Sequence, residues 1–232
     1  AGENLSAMER MIDYNITNGV RMYRISSDLV PFGSSLASGL PWDAIYREQL
    51  DRIAQKIKSG DMRVSMHPGQ YTVLNSPDSG VIARSIDDLR YHARLLDALH
   101  LDETHKIILH VGGKYGDPSA AISRFSDVFA NLDASIQKRL ILENDGSIYH
   151  IDEVLELCHR IGVPAVYDNL HNEINPADET KDDAYWVSLC GETWREVDGA
   201  QKTHYSQQNP QKIRGAHTDT IAIDAFLDYC HR

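Results

Sequence analysis

Cysteine is scarce: Cys158, Cys190 and Cys230 are odd in number, widely spaced and never at Cys-X-X-Cys spacing. A disulfide framework and a thiolate metal cluster are therefore not expected, and a reducing compartment fits. Long apolar runs are absent as well. No stretch reaches the roughly 18 apolar residues that a spanning helix needs, and the N-terminal AGENLSAMER has neither the basic nor the apolar region of a signal peptide. An intracellular, cytoplasmic protein without a membrane partner is expected, associated with the nucleoid if the source is prokaryotic. Positive charge is also in short supply, with 23 Lys and Arg against 34 Asp and Glu and a formal net charge of −11. Nucleic-acid binding usually draws on clustered Lys and Arg, so the balance argues mildly against such a partner. Bound divalent cations would offset that charge locally. There are no internal repeats, low-complexity tracts or evident linkers. At 232 residues, 42% of them hydrophobic, one core and one domain over 1–232 are expected.

What is present is a set of short apolar runs ending in charged or metal-binding residues: MYRISSD, VSMHPGQY, IILHVGGK, LILEND, AVYDNLH and KTHYS. Buried parallel strands read as continuous apolar runs. Residues 67, 110, 143, 168 and 204 are separated by 43, 33, 25 and 36 positions, each interval enough for one strand, one helix and two loops. Helical periodicity falls between them, over Ser85–Leu101 and Asp152–Ile161. The pattern predicts α/β with a parallel sheet, a TIM (β/α)8-type barrel with its chemistry at the C-terminal ends of the strands.

The chain begins with a helix through Met8, Met11, Ile12 and Ile16, capped by Asn4 or Ser6. It ends with another over Thr218–Cys230. Six strands are found where a complete barrel has eight, so the barrel is expected to lack its first and last strands here and the chain to be part of a longer one. Residues 173–198, polar and acidic, are expected on a helix outside the barrel.

The run ends supply His67, His110, Glu143, Asp168, His171, Lys202, His204 and His217. Glu143 follows a fully apolar strand, so if buried it must be paired or metal-bound; an ion pair with Arg24 is the alternative. His110 alone would read as a satisfied core histidine. The Gly112-Gly113 pair after it would bring the backbone close to a ligand, with Lys114 meeting a phosphate. Lys202 beside His204 is an odd pairing, because an ammonium repels metal; it makes sense if Lys202 pairs with an acid or is carboxylated into an anionic ligand. His217 either ligates or caps the last helix. A Pro-Gly turn lifts Gln70 and Tyr71 onto an exposed loop, where an amide can reach a base edge and a ring can stack on its face; a surface-packed tyrosine is the alternative. Oxygen and nitrogen ligands without thiolates favour Mn²⁺, Zn²⁺ or Mg²⁺, two or three ions in all. Such a cluster suits phosphodiester hydrolysis.

The strings RISSDLVPFGS, SMHPGQY, ILHVGGKYGD, LENDG, VYDNLHN, KTHYS and AHTD resemble the UV damage endonuclease family over essentially the whole chain. The resemblance implies a TIM-barrel relative of endonuclease IV. It would use a metal cluster, commonly manganese, to nick damaged double-stranded DNA immediately 5′ of cyclobutane pyrimidine dimers, 6-4 photoproducts and some other lesions, leaving a 3′ hydroxyl. It further implies one metal on His67, His110 and Glu143, a second bridged by Glu143 to Asp168 and His217, and a third among His171, His204 and carboxylated Lys202. Glu143, Lys202 and His67 would be catalytic, Gln70 and Tyr71 would enter the duplex at the lesion, and the protein would act as a monomer. The family's first strand, with a lesion-probing tyrosine, and its last, with a metal-binding glutamate, have no counterpart here. Two competing readings are a metal-dependent sugar isomerase or epimerase of the xylose-isomerase type, which would need neither the Gln70-Tyr71 loop nor the Lys202-His204 pair, and a non-catalytic DNA-lesion binder.

Overall fold

Residues 1–231 are described by the computed structural model of the chain. The apolar runs form six strands, β1 (Met22–Ile25), β2 (Arg63–Met66), β3 (Ile107–His110), β4 (Leu140–Glu143), β5 (Ala165–Asp168) and β6 (Thr203–His204). They pair in parallel in chain order, β1-β2-β3-β4-β5-β6. Parallel neighbours need crossovers, and helices supply them. α1 (Gly2–Thr17) precedes β1, α2 (Trp42–Ile45) and α3 (Arg47–Ser59) follow it, and α4 (Ser79–Ala98) follows β2. α5 (Pro118–Ala130) and α6 (Ala134–Gln137) lead to β4, and α7 (Ile151–Ile161) leads to β5. α8 (Asn169–Ile174), α9 (Asp183–Gly191) and a 3₁₀ turn (Glu196–Asp198) lead to β6, and α10 (Ile223–Cys230) closes the described chain.

Alternation along each strand divides the buried residues between two faces. Ile107, Leu109, Leu140, Leu142, Ala165 and Tyr167 face the helices and join the large core. Ile108, Ile141 and Val166 face the other way and form a small separate cluster with Trp194. Two residues further along on that inner face stand His110, Glu143 and Asp168. The sheet curls, because side chains of β1 and β2 meet the chain at β6: Lys202 Nζ donates to Ser65 Oγ at 2.8 Å, and Arg24 lies 3.0 Å from His204 Nε2. The result is six strands of a (β/α)8-type barrel, plugged inside by three aliphatic residues and Trp194, with polar residues above the plug.

At the opposite ends of the strands, Lys106, just before β3, is buried in an ion pair of 2.6 Å with Asp198, which Arg195 also holds at 2.8 Å. Part of the acidic 173–198 connection is thus an internal counter-ion. Another part, α9, buries Trp186 and Cys190.

Several helix boundaries differ from those expected. α1 starts at Gly2 without a side-chain cap, and Asn4 instead donates to the carbonyls of Asp28 and Leu29. α4 starts six residues before Ser85, because the Asp78 carboxylate accepts from the amides of Gly80 and Val81 and caps it there. It ends at Ala98. α10 starts only at Ile223, so His217 does not cap it; His217 lies in a loop, bridged antiparallel to Gln208, and is exposed.

Candidate metal centre

Strand register does most of the work of assembly. His110 pairs with Glu143 across β3 and β4, and Asp168 with His204 across β5 and β6, which sets neighbours about 5 Å apart. His67 follows β2 directly. Ligand atoms of His67, His110 and Glu143 all lie within 4.8 Å of one another, and so do those of Glu143, Asp168 and His204. Glu143 belongs to both groups. It is 2% exposed, with one oxygen 2.8 Å from His67 Nε2 and the other 2.6 Å from His204 Nδ1.

The histidine tautomers follow from their outer partners. A carbonyl only accepts, so a ring nitrogen in contact with one carries the proton. His67 Nδ1 donates to Pro68 O at 3.0 Å, His110 Nδ1 to Glu143 O at 3.4 Å and His171 Nδ1 to Asn144 O at 2.8 Å. Each neutral ring then carries its lone pair on Nε2. For His67 and His110 that atom faces the Glu143 carboxylate, at 2.8 and 3.7 Å. Acceptor facing acceptor calls for a cation between them, and an outer carbonyl fixing the inner lone pair is the usual arrangement around a metal-ligating histidine. The donor set fits a divalent ion. His204 has the other tautomer, its Nε2 accepting from Arg24 and its Nδ1 donating to Glu143. Arg24 therefore sits on His204 and not in the ion pair with Glu143 weighed from the sequence.

Charge states agree with these roles. Burial alone would raise the Glu143 pKa, but the hydrogen bond from His204 and the adjoining His67 imidazole prevail and hold it well below the usual carboxylate range. Burial raises Asp168 and lowers His110. Lys202 is pulled down to about 8, by burial first and then by the charges of Arg24 and Arg63.

Two cavities open on this cluster. The first, of 1290 Å³, is bordered by His67, His110 and His171 together with Gln70 and Tyr71. The second, of 530 Å³, is lined by Glu143, Asp168, His171, Lys202, His204 and His217 among others.

The sequence profile of the UV-endonuclease UvdE family matches residues 1–230. This chain belongs to that family. A UV DNA damage endonuclease of Clostridium perfringens is 40% identical over 228 residues, covering 98% of this chain, and one of Bacillus cereus (strain G9842) is 30% identical over 229 residues, covering 99%. The chain spans 55% of the length of the first and 72% of the second. The crystal structure of SacUVDE superposes with a TM-score of 0.93 at 32% identity, covering 99% of this chain and 77% of that one. Endonuclease IV from Thermus thermophilus shares the fold, with a TM-score of 0.61 at 14% identity over 90% of this chain and 76% of that one. So does a D-psicose 3-epimerase from Clostridium cellulolyticum H10, at 0.61 and 14% over 86% and 68%.

Most residues singled out from the family's motifs converge on the two cavities. Gln70 and Tyr71 are exposed on the rim, Tyr71 at 83%. His217 lines the second cavity outside both ligand groups, and His204 lies beside Glu143 and Asp168. Lys114 points elsewhere: its ammonium is 2.7 Å from the Glu153 carboxylate, which takes up the charge expected for a phosphate. The paired glycines line the first cavity, with protein atoms beside their Cα positions. A Cβ on Gly112 would lie 2.4 Å from Asn75 Oδ1, and one on Gly113 would lie 2.9 Å from the Tyr115 ring. Two residues that matter here carried only weak signals. Asn144, adjacent to Glu143, accepts from the Asp168 amide and donates back to the Asp168 carbonyl. Ser65, two residues before His67 and therefore on the same face, receives Lys202.

Proposed function

We propose that this protein is a metal-dependent DNA repair endonuclease that nicks the phosphodiester bond immediately 5′ of UV photoproducts. The observation that carries this reading is the pair of inward Nε2 lone pairs of His67 and His110 facing a buried, ionised Glu143, beneath a 1290 Å³ cavity rimmed by Gln70 and Tyr71. His67, His110 and Glu143 would hold one ion, and Glu143 with Asp168 a second, which His204 would join only by exchanging its Nδ1 proton for the ion; Mn²⁺ suits their oxygen and nitrogen donors. When bound, such ions supply charge stabilisation at phosphorus and an activated water.

The chain's own residues do the rest. Glu143, His67 and Lys202 are the catalytic set. Glu143 fixes the imidazoles around it, and the Pro68, Glu143 and Asn144 carbonyls keep the lone pairs of His67, His110 and His171 on Nε2. Lys202, with a pKa near 8, keeps a neutral fraction at physiological pH. A neutral amine adds CO2 with loss of one proton, and the carbamate so formed would be an anionic ligand for a third ion with His171. Gln70 and Tyr71 enter the duplex at the lesion, the amide on base edges and the ring on a base face. Hydrolysis joins the water oxygen to phosphorus and breaks the P–O3′ bond, leaving a 3′ hydroxyl. On this reading the protein works inside the cell, as a monomer, on damaged double-stranded DNA. The exposed Gln70-Tyr71 loop favours it over a sugar epimerase on the same fold.

The test is incision of an end-labelled duplex carrying one cyclobutane pyrimidine dimer, with Mn²⁺ and with EDTA. A metal-dependent nick on the 5′ side of the dimer is expected. Intact duplex under both conditions, from folded protein, would sink the proposal.

A further inference from the structure

Among the described residues, four non-glycine residues have positive φ: Phe32 (59°), Asp61 (48°), His100 (54°) and Tyr115 (50°). Two have an ordinary explanation. Asp61 and His100 follow the last residues of α3 and α4 and their caps, where chains commonly turn through the left-handed region. Phe32 and Tyr115 end no helix; each stands in a turn, closed by the Gly33 amide on the Val30 carbonyl and by the Asp117 amide on the Lys114 carbonyl, both at 3.0 Å. For bulky side chains this conformation is a strained exception, and such strain persists only where the surroundings impose it.

Both of these aromatics line the 1290 Å³ cavity, and both are exposed, at 67% and 47%. The chain around each is held from behind. On the loop carrying Phe32, the Val30 amide donates to the Tyr91 hydroxyl at 3.0 Å, and Gly33 lies so close to the Tyr91 ring that a Cβ would come within 2.3 Å of it. Ser27, on the same loop, is hydrogen-bonded to His92 at 2.9 Å. The Tyr115 ring lies over Gly113, with the Arg124 guanidinium 5.7 Å from its centroid. Arg124 is itself tied to the Asn75 carbonyl at 2.9 Å, and Asn75 to the Gly113 carbonyl at 2.8 Å. Burial does not account for two strained aromatics facing a cavity.

We propose that Phe32 and Tyr115 are fixed stacking platforms that receive bases displaced from the duplex, in addition to Gln70 and Tyr71. The inference rests on the DNA reading above and names a further part of its substrate site. An unstacked base presents flat apolar faces that match a preformed ring, and preformed rings lose little freedom on binding. Arg84 on the same cavity and Arg124 behind Tyr115 supply positive charge for the flanking phosphates.

Binding is measured by fluorescence anisotropy in EDTA, which prevents incision. The probes are a duplex with one cyclobutane dimer, the same duplex undamaged, and a dimer duplex carrying 2-aminopurine opposite the lesion. F32L and Y115L keep apolar bulk but lose the ring, Y115F keeps the ring, and Y185L removes an exposed tyrosine elsewhere. F32L and Y115L are expected to weaken binding of the dimer duplex about ten-fold, to leave the undamaged duplex unaffected and to reduce quenching of 2-aminopurine. Y115F and Y185L should match the parent. F32G, which relieves the strain, should unfold no earlier than the parent while binding as weakly as F32L. If the parent discriminates the dimer and F32L and Y115L do so equally well, the inference falls and the DNA reading stands. If F32G unfolds earlier, Phe32 is structural and the inference falls for it. If the parent does not distinguish the two duplexes, the DNA reading fails and takes this inference with it.

Discussion

Glu143 is the residue on which the proposed centre turns. It is buried, held ionised by the hydrogen bond from His204 and the adjoining His67 imidazole, and common to both ligand groups. Glu143→Gln keeps the shape and the hydrogen-bonding capacity but removes the charge that makes the pocket attractive to a divalent ion. The expected outcome is loss of at least ten-fold in Mn²⁺ affinity, in the range seen when a support of a metal site is removed, with the fold retained. Isothermal titration with Mn²⁺ reads the first and circular dichroism the second. Unaltered affinity in the variant would remove Glu143 from the centre. At this scale the sequence was informative about identity and poor on partners. Glu143 had to be compensated because it ends an apolar run, but only the fold gave it two imidazoles in place of Arg24. Lys114 likewise looked available until α7 brought Glu153 to it.

Helices and strands carry the next level. Two buried histidines lie at junctions between elements: His92 of α4, which bonds Ser27 of the β1 loop, and His105, whose Nδ1 accepts from the Val64 amide of β2 at 3.0 Å. Burial lowers the pKa of both from 6.5. The unfolded chain therefore binds protons more readily than the folded one. Their contribution is intact above pH 6.5 and is lost as pH falls from there toward the folded pKa values. Denaturant unfolding followed from above to well below that pH should show falling stability, and His105→Asn, which keeps an acceptor for the Val64 amide without a titrating ring, should flatten the dependence. Equal slopes for parent and variant would contradict the assignment. Strand positions and order were legible because an apolar run with a polar end is a local signal. Helix starts were less so. The α4 start depends on Asp78, which caps a turn that carries little apolar periodicity of its own.

The whole molecule bears a net charge of −11. An ion that binds only the folded state stabilises it by mass action, about 2.7 kcal/mol at a hundred times Kd. For a chain of this length that is about 5–10 °C in Tm. Differential scanning calorimetry of EDTA-treated protein should show this rise on addition of Mn²⁺, and Glu143→Gln should not show it. No rise in the parent would count against a metal centre altogether. The same charge balance made a nucleic-acid partner look less favourable from composition alone, since formal charge takes no account of cations that a folded centre can hold.

The division between sequence and structure follows the range of the forces. Stereochemistry alternates side chains along a strand, so it was settled locally that His110, Glu143 and Asp168 would share a face with Ile108, Ile141 and Val166. The sequence also determined the order of elements and the chemistry of the donors. What lies between strands was decided by register, by the curl that brings Lys202 to Ser65, and by loops. Those set His204 beside Glu143 and Asp168, left His217 on an exposed loop, filled the space beside Gly112 and Gly113 with Asn75 and Tyr115, and held Phe32 and Tyr115 at positive φ. Contacts between residues far apart in the chain exist only after the core has closed, and no local periodicity encodes them.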